Sequence, residues 1–214
     1  MTTVGILALQ GGVAEHQRSL RALGIEPVLV RRTEHLDGLD ALILPGGEST
    51  TMCTLLRLGG LREPLAGLIG EGLPTYGTCA GMILLAKKVL DTRPDARGFE
   101  AMDITVRRNA FGRQADSFEC DLDCEGMGGM SLPAVFIRAP KVEECGPGVR
   151  VLARVPDGEH IPAQHRGAVV AVEQGSMLAT AFHPEVTVDT RFHRYFLERA
   201  GVLPAEGAAY NRKG

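Results

Sequence analysis

Tryptophan is absent from this sequence, and aromatic residues make up only 5% of its 214 positions. That leaves little with which to build a base-stacking surface for nucleic acid. Nor is either charge in excess: 23 Lys and Arg against 26 Asp and Glu give a formal net charge of −3. A chain this close to neutral does not hold nucleic acid or an anionic membrane by charge alone. No apolar run reaches the roughly 18 residues that a membrane span needs. The start, Met1-Thr2-Thr3-Val4-Gly5, carries no basic segment followed by an apolar one. We therefore expect a cytoplasmic protein with neither nucleic-acid nor membrane partners. Cysteine is sparse and odd in number, at five. A complete internal disulfide framework is thereby excluded, and reduced thiols are expected.

What remains is ordinary globular material, with 44% hydrophobic and 23% charged residues and an unusual 27 glycines. A chain of this length can bury roughly 70% of its unfolded surface, so a full core is attainable.

The first half alternates apolar runs with helix-like stretches. Thr3 to Leu9 reads as a buried strand, followed by a Gly11-Gly12 turn and a helix with Val13, Leu20 and Leu23 on one side. Strands are expected at Pro27 to Val30, Asp40 to Leu44 and Leu73 to Gly77, and helices at Thr50 to Leu58, Glu63 to Glu71 and Ala80 to Val89. Such alternation implies parallel strands with helices on both sheet faces, an α/β fold. From Met102 to Phe182 the pattern changes to strand-like runs at 104–106, 134–137, 149–155, 169–172 and 178–182, which suggests an antiparallel extension and the last strands of the sheet. A final helix, Val188 to Ala200, would line up Val188, Phe192, Tyr195, Phe196 and Arg199. With no repeat and no linker, residues 1–204 are expected to form a single domain, and 205–214 a frayed tail.

Gly77-Thr78-Cys79-Ala80-Gly81 lies between an apolar strand and a helix. This is the arrangement of a nucleophile elbow, with cysteine as the nucleophile. A side chain at the tip of so sharp a turn needs small neighbours two residues away, and the helix that follows directs its N-terminal amides at the sulfur, favouring thiolate. The Ala80 amide would then serve an oxyanion. His183-Pro184-Glu185 follows another apolar run and supplies a base, His183, with Glu185 to orient it. A third strand end, Leu44-Pro45-Gly46-Gly47-Glu48-Ser49-Thr50-Thr51, brings paired glycines suited to a second oxyanion donor, with Ser49 placed to cap the next helix. It does not have the spacing of a phosphate loop.

Together these blocks resemble class I, or triad, glutamine amidotransferases. The match is closer to one branch, the glutaminase subunits of pyridoxal 5′-phosphate synthase. Gly5 to Gly11, Leu44 to Met52, Tyr76 to Gly81, Arg108-Asn109-Ala110-Phe111-Gly112-Arg113-Gln114, Val135 to Pro140 and Phe182 to Glu185 all look like that branch, from residue 4 to about residue 200. The resemblance implies a three-layer, flavodoxin-like, mostly parallel sheet flanked by helices, with an antiparallel extension. It implies that Cys79 attacks the side-chain amide of L-glutamine, with His183 as base and then acid and Glu185 orienting it. Gly47, Glu48, Ser49, Arg108, Ile137 and Arg138 would bind the substrate, and the Gly47 and Ala80 amides would form the oxyanion hole. Arginine suits the α-carboxylate, which it can grip in bidentate fashion. No cofactor is implied, pyridoxal 5′-phosphate being the product of the complex. The implied partner is a (β/α)8-barrel synthase subunit that receives the ammonia in a hetero-oligomer, with Gln10 and Gly46 near the contact.

Other readings stay open: a subunit of another class I amidotransferase, a catalytically silent protein of the same fold, or a partnerless cysteine hydrolase. Cys120 to Met130 and Pro156 to Gly167 look like lengthened surface turns. Cys120, Cys124, His160 and His165 have loose zinc spacing, but we expect no metal. Cys53 and Cys145 read as inert, the latter in a Gly/Pro turn. His16 and His35 read as solvated or hydrogen-bonded structural residues, and His193 as a helix-face residue.

Overall fold

The computed structural model describes residues 2–111, 117–127, 131–158 and 161–205. The expected tail beyond 205, the Gly112-Arg113-Gln114 end of one motif, and His160 lie outside these residues.

The first strand, β1 (Val4–Leu7), leads into helix α1 (Val13–Ala22), and β2 (Val28–Val30) pairs back beside β1. Next come β3 (Ala41–Leu44), helices α2 (Ser49–Leu58) and α3 (Arg62–Gly70), β4 (Thr75–Thr78) and helix α4 (Ala80–Leu85). Much later β12 (Met177–Thr180) joins the far side of β4. The order β2-β1-β3-β4-β12 is parallel throughout. It is the flavodoxin-like arrangement, in which strand order reverses beside β1 and the carboxyl ends of the strands open a crevice. Every residue of β1, β3 and β4 is buried. Strands covered on both faces read as unbroken apolar or small-residue runs, and these do.

The intervening chain forms β5 (Ala86–Leu90), β6 (Met102–Arg107), β7 (Phe118–Leu122), β8 (Leu132–Phe136), β9 (Lys141–Cys145), β10 (Arg150–Arg154) and β11 (Val169–Gln174). β11 pairs antiparallel with β12, β10 and β9, and the sheet continues through β9 to β6 and β5. β7 and β8 make a separate antiparallel pair. Helix α5 (Arg191–Arg199) closes the described chain. One cluster of buried apolar side chains runs from Val4 to Leu197 through both halves. No helix among the described residues is long and apolar enough to cross a membrane.

Several local expectations are corrected. The helix expected over Ala80 to Val89 stops at Leu85, and Ala86 begins β5. Its last carbonyls are taken from outside: Phe99 N–H donates to Leu84 O at 2.6 Å and Ala101 N–H to Leu85 O at 2.9 Å. That leaves no bonds with which to propagate the helix. The final helix starts at Arg191 rather than Val188, because Asp189 binds the Arg191 amide and guanidinium and leaves Val188 fully exposed. Residues 118–122 form a strand where Cys120 onward was expected to be a turn, and Cys145 ends a strand rather than sitting in a turn. His193 is wholly buried.

Candidate active site

The loops after β1, β3, β4 and β12 meet at one edge of the sheet, around a cavity of about 580 Å³. At its floor is Cys79, the residue between β4 and α4, with φ 47° and ψ −99°. A non-glycine residue at positive φ is strained, and such strain persists only where the surroundings enforce it. Here the Cys79 amide donates to Thr180 O at 2.8 Å, tying the turn to β12. The flanking glycines are sterically required: a Cβ at Gly77 would stand 2.5 Å from the Gly81 carbonyl carbon, and one at Gly81 would stand 2.1 Å from Leu44 O.

His183 follows β12 and reaches the same floor. Its Nδ1 lies 2.8 Å from Glu185 Oε1, and the ring shares the cavity floor with Cys79, which helps to hold its proton. Burial opposes charge on this imidazole, but interaction with Cys79 and Glu185, reinforced by their charges, outweighs it and raises His183 to about 10. Glu185 is buried at 3% exposure. Burial works against its charge too, yet contact with His16 and the bond from His183 hold it below the usual carboxylate range. The Pro45-Gly46-Gly47 loop packs directly on this pair, since a Cβ on Gly46 would come within 2.4 Å of His183 Cε1.

Gly47, Glu48 and Ser49 line the cavity wall. Glu48, not Ser49, caps α2: its carboxylate accepts the Thr51 amide at 2.6 Å and the Thr50 and Thr51 hydroxyls. Standing just before the helix, it closes the end from outside, while Ser49 is drawn into the first turn and buried. Burial disfavours the Glu48 charge, but these donors hold it at about 2. Its other oxygen pairs with Arg108 at 3.0 Å. Arg108 also lines the cavity, mostly buried, with its Nε buried and without a hydrogen-bond partner among the described residues. Ile137 and Arg138 form the remaining wall; Arg138 is exposed, sits at φ 47° and makes no ion pair among the described residues. Gln10 and Gly46 line the cavity as well, Gly46 buried against His183; Gln10 Oε1 accepts the Glu48 amide at 2.9 Å and Gly46 O accepts from Gly12 at 3.0 Å. Ala80 is buried as the first residue of α4 and is not part of the lining.

One arrangement behind the cavity was missed from sequence, the pairing of two histidines. His16 and His193 are buried and bonded to each other, Nδ1 to Nε2, at 2.9 Å. A signal for His16 was present, since Val13, His16 and Leu20 fall at i, i+3 and i+7 on the sheet-facing side of α1. The residues of the imagined zinc site are used otherwise: His165 packs on the Phe111 and Phe118 rings, and Cys124 is buried. Among the described residues, no group of three His, Cys, Asp or Glu side chains could hold a metal. All five cysteines are unpaired.

Comparison with known proteins gives a consistent result. The profile of the SNO glutamine amidotransferase family matches residues 6–201. The chain is 58% identical over 196 residues to pyridoxal 5′-phosphate synthase subunit PdxT of Nocardia farcinica, covering 92% of this chain and 84% of that one. It is also 58% identical to the PdxT subunit of Corynebacterium jeikeium, covering 91% of this chain and 94% of its relative. Among solved structures, one described as a glutamine amidotransferase superposes with a TM-score of 0.83 at 49% identity, covering 94% of this chain and all of that one. The fold alone extends to PurLQS from Thermotoga maritima, with a TM-score of 0.62 at 17% identity, covering 92% of this chain and 99% of the other.

Proposed function

Because the chain belongs to the SNO glutamine amidotransferase family, we propose that Cys79, His183 and Glu185 form its catalytic triad. The enzyme is a glutaminase of the kind that serves pyridoxal 5′-phosphate synthase. The observation that carries the triad assignment is the strained Cys79 turn facing an imidazole whose other nitrogen is held by a buried carboxylate.

In this reading L-glutamine enters with its side-chain amide over Cys79. The sulfur attacks the amide carbon, and the carbonyl oxygen takes the negative charge against the Gly47 and Ala80 amides. His183, holding the proton between sulfur and Glu185, delivers it to the departing nitrogen, so ammonia leaves and a γ-glutamyl thioester remains. Water, deprotonated by the same imidazole, then adds to the thioester and releases glutamate and the thiol. The balance is glutamine plus water to glutamate plus ammonia. Arg138 and Arg108 bind the α-carboxylate, supported by their place on the cavity wall. Glu48 keeps Arg108 aimed inward and Gln10 braces the Gly47–Glu48 peptide.

Ammonia is protonated in bulk water and loses its nucleophilicity, so it must pass directly to the synthase. We assign that role to a (β/α)8-barrel subunit docked over the cavity, with Gln10 and Gly46 near the contact, in a cytoplasmic hetero-oligomer. The test is glutamate release from L-glutamine by the chain alone, with the synthase subunit of the same organism, and as Cys79→Ala with that subunit. Release that rises with the partner and vanishes in Cys79→Ala supports the assignment. Release that survives Cys79→Ala contradicts it.

A further inference from the structure

Glu185 has two carboxylate oxygens, and they are treated unequally. Oε2 is buried with no hydrogen-bond partner among the described residues. Oε1 takes everything: His183 Nδ1 at 2.8 Å, the Thr78 hydroxyl at 3.4 Å, and the approach of His16 Nε2 at 3.7 Å. Behind Thr78, His16 Nε2 lies 3.1 Å from the hydroxyl oxygen, and His16 Nδ1 lies 2.9 Å from His193 Nε2. The chain ends there, with His193 Nδ1 buried and without a hydrogen-bond partner among the described residues.

These contacts have one self-consistent order of protons. A carboxylate only accepts, so Thr78 donates to it. The Thr78 oxygen then accepts from His16 Nε2–H, which leaves His16 Nδ1 as an acceptor for His193 Nε2–H. His193 Nδ1 is then a bare acceptor, the state in which lacking a partner costs least. The reverse order would turn the Thr78 hydroxyl hydrogen toward His16, take that donor from the buried Glu185 carboxylate and strand a buried N–H at His193. Neutral rings are also what the surroundings favour. Burial lowers His16, against Glu185 and Glu15, with His183 acting in the same direction as burial. Burial and His16 push His193 to about 3, against Glu185. Tyr76 also stands beside His193, edge-on to its ring at 5.9 Å.

We propose that Thr78, His16 and His193 are positioning residues of the glutaminase centre, a one-way hydrogen-bond chain that delivers its last donor to Glu185 Oε1 and so fixes the carboxylate that orients His183. This rests on the triad assignment above. Thr78 has a double duty that its place in the sequence makes possible: its backbone leads into the elbow while its side chain points back, away from the cavity, to the base pair of the triad.

The experiment follows glutamine hydrolysis against pH, using the chain in complex with its synthase partner. Thr78→Val keeps shape but removes the donor, and Thr78→Ser keeps the donor but removes a methyl. Thr78→Val is expected to lower kcat about tenfold with KM within about twofold, as for one lost hydrogen bond to a charged group. The acid limb of its kcat/KM profile should move to higher pH, because a Glu185 carboxylate that has lost a donor takes up its proton at higher pH. Thr78→Ser should restore kcat to within about threefold and return the limb to its original position. His193→Phe, which keeps a ring in place and removes the Nε2 donor, should move the limb in the same direction by less. It stands in if Thr78→Val does not fold. A Thr78→Val enzyme with unchanged kcat and profile, or a Thr78→Ser enzyme as impaired as Thr78→Val, would overturn the proposal. So would a folded His193→Phe enzyme identical to wild type. Loss of release in a parallel Cys79→Ala control preserves the triad reading whichever way the Thr78 pair behaves. Wild-type enzyme that releases no glutamate overturns both.

Discussion

The two halves of the sheet divide the work. The parallel half, β2-β1-β3-β4-β12, contributes Cys79, His183 and Glu185 from loops at one edge of strands whose residues are largely buried. The two arginines come from elsewhere, Arg108 just after β6 of the antiparallel extension and Arg138 just after β8 of the separate two-stranded sheet. The extension's strands include half-exposed, charged ones, as in Lys141–Cys145 with its pattern of one buried residue in five, while β11 is almost wholly buried. In the proposed mechanism, reaction and recognition are thus carried by different architectures. A rigid, doubly covered sheet holds the reacting groups to the tolerance that covalent chemistry needs, while a looser flank supplies charge over a distance.

Substitutions can break this division if it is false. The largest effect belongs to the parallel half. Cys79→Ala should cut glutamate release at least about 1000-fold, since without the nucleophile no thioester forms. Next come the arginines. Arg138→Ala and Arg108→Ala should each raise KM for glutamine about 10- to 100-fold, the worth of a charge-assisted carboxylate bond, with kcat changed little. Steady-state kinetics separate the cases. Collapse of kcat with unchanged KM in either arginine variant would put recognition and reaction in the same half.

The interior of the parallel half also carries an acid liability. His193 has its pKa depressed to about 3 by burial, from an ordinary 6.5. The unfolded chain therefore binds a proton that the folded one refuses, and the stability His193 contributes is present above pH 6.5 and lost as pH falls toward 3. Denaturant titration should show the wild type losing roughly 3 kcal/mol more than His193→Phe between pH 6.5 and 4. Equal pH dependence would mean the ring titrates normally. His183 has the opposite sign. Raised from 6.5 to about 10, it stabilises the fold fully below pH 6.5, and that contribution is lost as pH climbs through 10.

The smallest effect is expected on the extension's surface. Lys87 on β5 pairs with Asp103 at 2.9 Å, with 65% of the lysine side chain exposed. Lys87→Ala should lower Tm by less than about 2 °C and leave glutamate release unchanged, as exposed pairs add little. A large drop in thermal unfolding would show that the flank is held together by its ion pairs.

The same contrast explains what could be read from the sequence. Leu42-Ile43-Leu44 and Gly5-Ile6-Leu7 are apolar on both faces, so they announce themselves, and the glycine-bracketed turns at their ends mark the site. Phe118-Glu119-Cys120-Asp121-Leu122 and Lys141-Val142-Glu143-Glu144-Cys145 do not, because strands with one wet face carry charges that mimic a loop. Ala86 to Leu90 continues a helical pattern without a break; only the distant Phe99 and Ala101 amides, taking the helix's last carbonyls, end it. The cavity residues were legible because their motifs sit at strand ends. Glu48 as the α2 cap and the bonding of Thr78, His16 and His193 were not, since both depend on which atoms meet in the folded chain.

The central claim is that the strained cysteine at the end of β4 carries the acyl group. The most direct measurement is to mix the complex with L-glutamine, quench it in acid within a turnover, and locate any γ-glutamyl adduct by peptide mass spectrometry. The account predicts the adduct on the peptide containing Cys79, with Cys53, Cys120, Cys124 and Cys145 unmodified. Glutamate formed without any adduct at Cys79, or an adduct on another cysteine, would contradict it.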